Sequence, residues 1–99
     1  MGMSEHDLAG VEFHWRPGCI FCFMLRLRLR RRGVPMVETD IWKTPGAAAR
    51  VRAATGGDET VPTVFIGPAA LVNPHPDEVV EAVRTHAPHL LGSEGEGGS

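Results

Sequence analysis

The chain lacks a second cysteine pair: its 99 residues hold two cysteines, Cys19 and Cys22. A structural zinc site needs about four ligands, so zinc here would have to recruit His14 and one other histidine. The remaining histidines, among them His75, His86 and His89, show no ligand spacing. No apolar run approaches the ~20 residues of a membrane-spanning helix, and the N-terminus has no basic-then-apolar leader pattern. A cytoplasmic location with no membrane partner is the expectation. In a reducing compartment, two cysteines at this spacing are catalytic or metal-binding before they are a permanent cross-link. Charge of one sign is lacking too. The formal net charge is -2, which argues against a general polyanion binder. No internal repeat is visible.

What is present is concentrated in Trp15-Arg16-Pro17-Gly18-Cys19-Ile20-Phe21-Cys22. Upstream, Val11-Glu12-Phe13-His14-Trp15 alternates apolar and polar residues, the period of a strand. Downstream, Phe23-Met24-Leu25-Arg26-Leu27 is rich in helix formers. The pair therefore falls where a strand ends and a helix begins. A helix N-terminus carries unsatisfied N–H groups and about half a positive charge. A thiol set there loses its proton more readily, and the thiolate is the nucleophile. Cys19 is the candidate nucleophile. Cys22, one turn on and more buried, is the candidate resolving thiol with the higher pKa. Attack by Cys19 on a disulfide gives a mixed disulfide, which Cys22 or an outside thiol releases.

Taken in order, the chain predicts a strand at Val11–Trp15 and a helix from about Cys19 to Arg32. Phe21, Cys22, Leu25 and Leu29 share its inner face, and the stem of Arg28 packs at the edge of that face. Arg30-Arg31-Arg32 suit the C-terminal dipole, and Gly33 is the stop. Val34–Thr39 reads as a second strand. Thr44 is the expected N-cap of a second helix, with Pro45 at its first position, and Gly56-Gly57 ends it. Thr60–Gly67 is the strongest strand signal. Pro68-Ala69 turns into a short strand at Ala70–Val72, and Asn73–Glu78 opens a third helix that Pro88 ends. The order β-α-β-α-β-β-α implies an α/β fold. Its mixed four-stranded sheet has parallel crossovers, a final antiparallel hairpin and three packing helices. Residues 1–9 and 92–99 read as flexible ends around one domain at 10–91.

These features resemble the glutaredoxins of the thioredoxin-like superfamily. Cys19-Ile20-Phe21-Cys22 lies at the strand-to-helix junction. Thr60-Val61-Pro62 is similar to the segment in which that family carries a cis proline. Gly33-Val34 and Asp40 fall at the end of the first helix and after the second strand, and the likeness spans roughly Val11 to Ala87. Within the family, Val72-Asn73-Pro74-His75-Pro76-Asp77-Glu78-Val79 is more similar to mycoredoxins, which use mycothiol, than to glutathione-using members. The chain departs from the family in carrying Ile20-Phe21 between the cysteines, where a Tyr is common; it has no Tyr at all. It also lacks the C-terminal segment of the ribonucleotide-reductase-specific redoxins.

The resemblance implies a dithiol–disulfide oxidoreductase with no bound cofactor. Mycothiol or glutathione would be its co-substrate, mixed-disulfide proteins its targets, and a reductase its electron source; the protein would act as a monomer. Arg16, three residues before Cys19, stands where many members carry a Lys and would attract a substrate carboxylate. Val61, turned outward by a cis Pro62, would pair with substrate backbone. Thr60, Asn73 and Asp77 are candidate substrate contacts, and Phe21 a candidate apolar lid. Two other readings stand beside this one. Arg26–Arg32 could make a basic helix for nucleic acid or another partner. Alternatively, the cysteines could bind iron–sulfur or zinc.

Overall fold

A computed structural model describes residues 10–91; the two expected flexible ends lie outside the described residues. The chain forms β1 (Val11–Trp15), α1 (Ile20–Arg31), β2 (Met36–Asp40), α2 (Ala47–Thr55), β3 (Thr63–Ile66), β4 (Ala69–Val72) and α3 (Pro76–His86), followed by a 3-10 turn at Pro88–Leu91. The sheet order is β2-β1-β3-β4. This is the expected mixed four-stranded sheet with three helices.

One pairing differs from expectation. β1 and β2 are parallel, but β3 runs antiparallel to β1 although α2 precedes it. Alternation of strands and helices predicts a parallel crossover there. Instead the connection leaves β2 and re-enters β3 at the same end of the sheet, where Trp15 faces Asp40 and His14 faces Thr63. That direction brings the residues just before β3 to the end of β1, beside the cysteines. A parallel β3 would start at the opposite end.

The two faces of β1 are divided between the helices. Phe13 and Trp15 lie under the Arg26 guanidinium of α1, at 5.5 and 5.0 Å from the ring centres. On the other face, Arg50 of α2 pairs with Glu12 and sits 4.0 Å over the Phe65 ring. Phe13, Leu29, Val51, Val64, Ile66, Val79 and Val83 are fully buried and make the centre of the core.

Local chemistry sets the element ends. α1 stops in a Schellman turn: Gly33, at φ 73°, donates to Arg30, and Val34 donates to Leu29 at 3.0 Å. Gly10 sits so close to the next chain segment that a Cβ would lie 2.7 Å from the Pro35 carbonyl oxygen. At α2, Thr44 is not the N-cap and Pro45 is not the first helical residue. Ala47 donates to the Thr44 carbonyl at 3.1 Å, and Gly46 has φ 82° and ψ -12°. That is a type II turn, with Pro and Gly at the positions that favour them. The turn takes residues that otherwise signal a helix start, so α2 opens one residue after Gly46. β3 is shorter than Thr60–Gly67 because Pro62 has no N–H to give a ladder. At the start of α3 the N-cap is His75, while Asn73 takes a left-handed φ of 48°.

Candidate active site

Cys19 is the N-cap of α1. Its backbone is extended, and its Sγ accepts the Cys22 backbone N–H at 3.3 Å. The sulfur thus sits against the first turn, where N–H groups have no helical partner. The Cys19 thiol also donates to the Val61 carbonyl at 3.8 Å. The Val61–Pro62 bond is cis, and the Pro62 carbonyl accepts from Asn73 N–H at 2.8 Å, which ties the loop before β3 to the loop before α3. Both cysteines are free thiols. Cys19 is half-buried, whereas Cys22 is 1% exposed. Burial, and then the hydrogen bond to the Cys19 side chain, push the Cys22 thiol up to about 12. The Arg16 backbone and the Arg26 charge pull it the other way, with less effect. The two sulfurs are therefore unequal: one is accessible at the helix tip, the other is held protonated behind it.

The residues singled out by sequence fall into two groups around this pair. Arg16 borders a cleft of about 360 Å³ with Trp15, Gly18, Cys19, Ile20, Cys22, Phe23 and Arg26. Val61 and Pro62 lie on the same side as the sulfur, through the contact just described. Thr60 is half-buried, and its carbonyl accepts from the Thr63 hydroxyl at 2.7 Å. Phe21 is not on the inner face of α1. It is 64% exposed and lines a second trough of about 420 Å³ with Met24, Arg28, Asn73 and His75. The expected stripe of four shrinks to Cys22, Leu25 and Leu29 because position 21 points toward the loop before α3. Asp77 is engaged elsewhere. Arg32, at the far end of α1, hydrogen-bonds to it and holds its carboxyl below the usual range.

Sequence reasoning missed Arg26. It singled out Arg28, at the edge of the inner face with its head in water, and that residue is exposed. Arg26 is the more deeply packed: its side chain is 18% exposed, over Phe13 and Trp15. Its Nε is 2.8 Å from Glu38 Oε1, yet the N–H is not aimed at that oxygen. The signal was available in its position four residues after Cys22, one turn along the inner face.

The sequence profile of the glutaredoxin family matches residues 11–69. The chain belongs to the glutaredoxin family. Two strains of Mycobacterium tuberculosis, H37Rv and CDC 1551, have a protein carrying the provisional name glutaredoxin. Each is 39% identical over 72 residues, covering 72% of this chain and 86% of the relative. Among solved structures, the glutaredoxin of Archaeoglobus fulgidus superposes with a TM-score of 0.65 at 22% identity, covering 81% of this chain and 91% of that one. The Brucella melitensis glutaredoxin gives 0.57 at 26% identity, over 86% and 89% of the two chains. A glutaredoxin-like redox function follows from the family and the fold.

Three arginines of the basic run are taken up within the molecule: Arg26 and Arg30 pair with Glu38, and Arg32 with Asp77. Among the described residues, no three His, Cys, Asp or Glu side chains gather as a metal site. His14, the expected zinc recruit, is 3% exposed and stacks edge-on against Phe65 at 4.8 Å. Burial lowers its pKa below the ordinary 6.5. None of the described helices is long and apolar enough to cross a membrane.

Proposed function

We propose that this protein is a dithiol–disulfide oxidoreductase of the cytoplasm that reduces mixed disulfides of proteins and low-molecular-weight thiols, with mycothiol as its preferred thiol. One observation carries the reading: Cys19 Sγ caps α1 beside the Val61 carbonyl, with the buried Cys22 thiol directly behind it. In the first step the Cys19 thiolate attacks a substrate S–S bond. A new S–S bond joins Cys19 to one half of the substrate, and the other half leaves as a thiolate that takes a proton from water. In the second step Cys22 gives up its proton and attacks the Cys19 sulfur. The remaining substrate thiolate leaves, and the protein holds a Cys19–Cys22 disulfide, having supplied two electrons. An outside thiol can replace Cys22 in that step. A reductase or a second thiol then restores the dithiol.

The substrate side is assigned to Arg16 for a carboxylate, Val61 for backbone pairing beside Pro62, and Phe21 as an apolar wall. Thr60 and Asn73 border the same end of the sheet. Asp77 contributes through Arg32, by tying the first turn of α3 to the end of α1. The mycothiol preference is supported by the likeness of Val72–Val79 to mycoredoxins. Residues 10–91 act as one catalytic domain. A coupled assay on one mixed-disulfide substrate tests the reading. Cys19→Ser is expected to abolish turnover, while Cys22→Ser accumulates the mixed disulfide and turns over with added thiol. Comparing mycothiol with glutathione as electron source tests the preference. Full activity in Cys19→Ser would end the assignment.

A further inference from the structure

α1 also carries an apolar stripe on its outward face. Ile20, Phe23, Met24 and Leu27 repeat at i, i+3, i+4 and i+7, one stripe of a helix. They lie opposite Cys22, Leu25 and Leu29, which already supply the stripe that folding buries. The outer four are 60, 55, 41 and 39% exposed. A contiguous apolar surface of this kind marks an interaction site. The stripe is also a ridge between two clefts. Ile20 and Phe23 wall the cleft that contains Cys19, and Met24 walls the trough that contains Phe21 and Arg28.

Charge surrounds the ridge on one side of the balance only. α1 contains no carboxylate. Arg16 at one end, Arg28 on the flank and Arg31 at the far end pair with no carboxylate among the described residues. We propose that this ridge docks the protein that exchanges disulfides with Cys19, and that the docking segment of that protein is apolar and flanked by carboxylates. The proposal rests on the oxidoreductase reading and names its protein substrate by chemistry. From Ile20 to Leu27 the ridge runs ~10 Å at the rise of a helix. A small thiol at Cys19 would occupy one cleft and leave the ridge bare, whereas a chain laid across it covers both. A second copy of this protein does not fit, because a two-fold contact would bring two arginine-flanked ridges together with no carboxylate of α1 to offset them. A lipid surface seated there would cover the reacting sulfur.

Single-turnover kinetics with fully reduced protein test this. The probes are three disulfides: hydroxyethyl disulfide, an apolar peptide mixed disulfide flanked by Glu residues, and the same peptide flanked by Lys. In each, Cys19 bonds to one sulfur and the other leaves as thiolate. The Glu peptide is expected to react faster than the Lys peptide, with a rate constant that falls as salt is added. Leu27→Gln and Arg31→Gln together are expected to slow the Glu peptide about fivefold to tenfold and to leave hydroxyethyl disulfide unchanged. Equal rates for both peptides, or no loss in the double variant, overturn the docking proposal while the oxidoreductase reading stands. Failure of wild-type protein on hydroxyethyl disulfide and on both peptides sinks that reading itself. Anionic vesicles or duplex DNA that bind wild type and not the double variant would reassign the ridge and overturn the proposal.

Discussion

Helices α1 and α3 pack against each other, yet they follow different rules. α3 obeys the local ones. Pro76 opens it, and the His75 Nδ1 accepts from Asp77 N–H at 3.1 Å while Glu78 reaches back to His75 N–H at 2.7 Å. Acids sit in its first turn and bases in its last, and it buries one stripe of Val79, Val80 and Val83. α1 has no acid in its first turn, a cysteine at its N-cap and apolar residues on both faces. Departures from local consistency gather where function imposes its own demands. In α1 they coincide with the cysteine at the helix tip and with the exposed ridge beside it. The contrast separates a helix that buries its one apolar stripe from one that buries an apolar face and leaves another exposed.

The sharpest way to break that contrast is to truncate the two faces of α1 separately. Leu29 is fully buried, and Leu29→Ala is expected to cost about 2–5 kcal/mol in urea unfolding. Leu27→Ala, on the ridge, is expected to stay within about 0.5 kcal/mol. Similar losses at both positions would mean that the ridge belongs to the core. The N-caps come next. Removing the Glu78 arm of the α3 capping box by Glu78→Ala is expected to cost about 1 kcal/mol. At α1 the sign reverses, since serine is a better cap than cysteine. Cys19→Ser is expected to raise stability by roughly 0.5 kcal/mol while removing activity, and a destabilised Cys19→Ser would show that the sulfur serves the fold.

The smallest effect is on pH dependence. His14 has a folded pKa below its ordinary 6.5, first because of burial. The unfolded chain therefore binds its proton more readily. The stabilising contribution is full above pH 6.5 and is lost as pH falls through the folded pKa. Thermal melts between neutral pH and pH 5 should show stability declining on the acid side, and His14→Gln should flatten that decline. Asp77, whose pKa is lowered from 3.8, titrates below this window, so the two do not overlap.

Elements whose signals are local were legible in the residues. β1, α1 with its Gly33 stop and the β3–β4 hairpin needed only periodicity and turn chemistry. So did the inequality of Cys19 and Cys22, because helical period sets Cys22 on the buried face with Leu25 and Leu29. Where two local signals competed, one of them misled: Thr44-Pro45-Gly46 reads equally as a cap and as a type II turn, and the glycine φ settles it for the turn. The direction of β3, the outward aim of Phe21 and the packing of Arg26 have another origin. Each depends on what lies across space: the end of the sheet at which a long connection returns, the loop before α3, and the Phe13–Trp15–Glu38 surface under α1. Backbone preference and hydrophobic period reach a few residues along the chain, whereas the partners that fix these side chains are set by packing between distant segments. The cysteine pair and its place at a helix start were therefore visible in the sequence, but placing Val61 beside Cys19 required the sheet to close first.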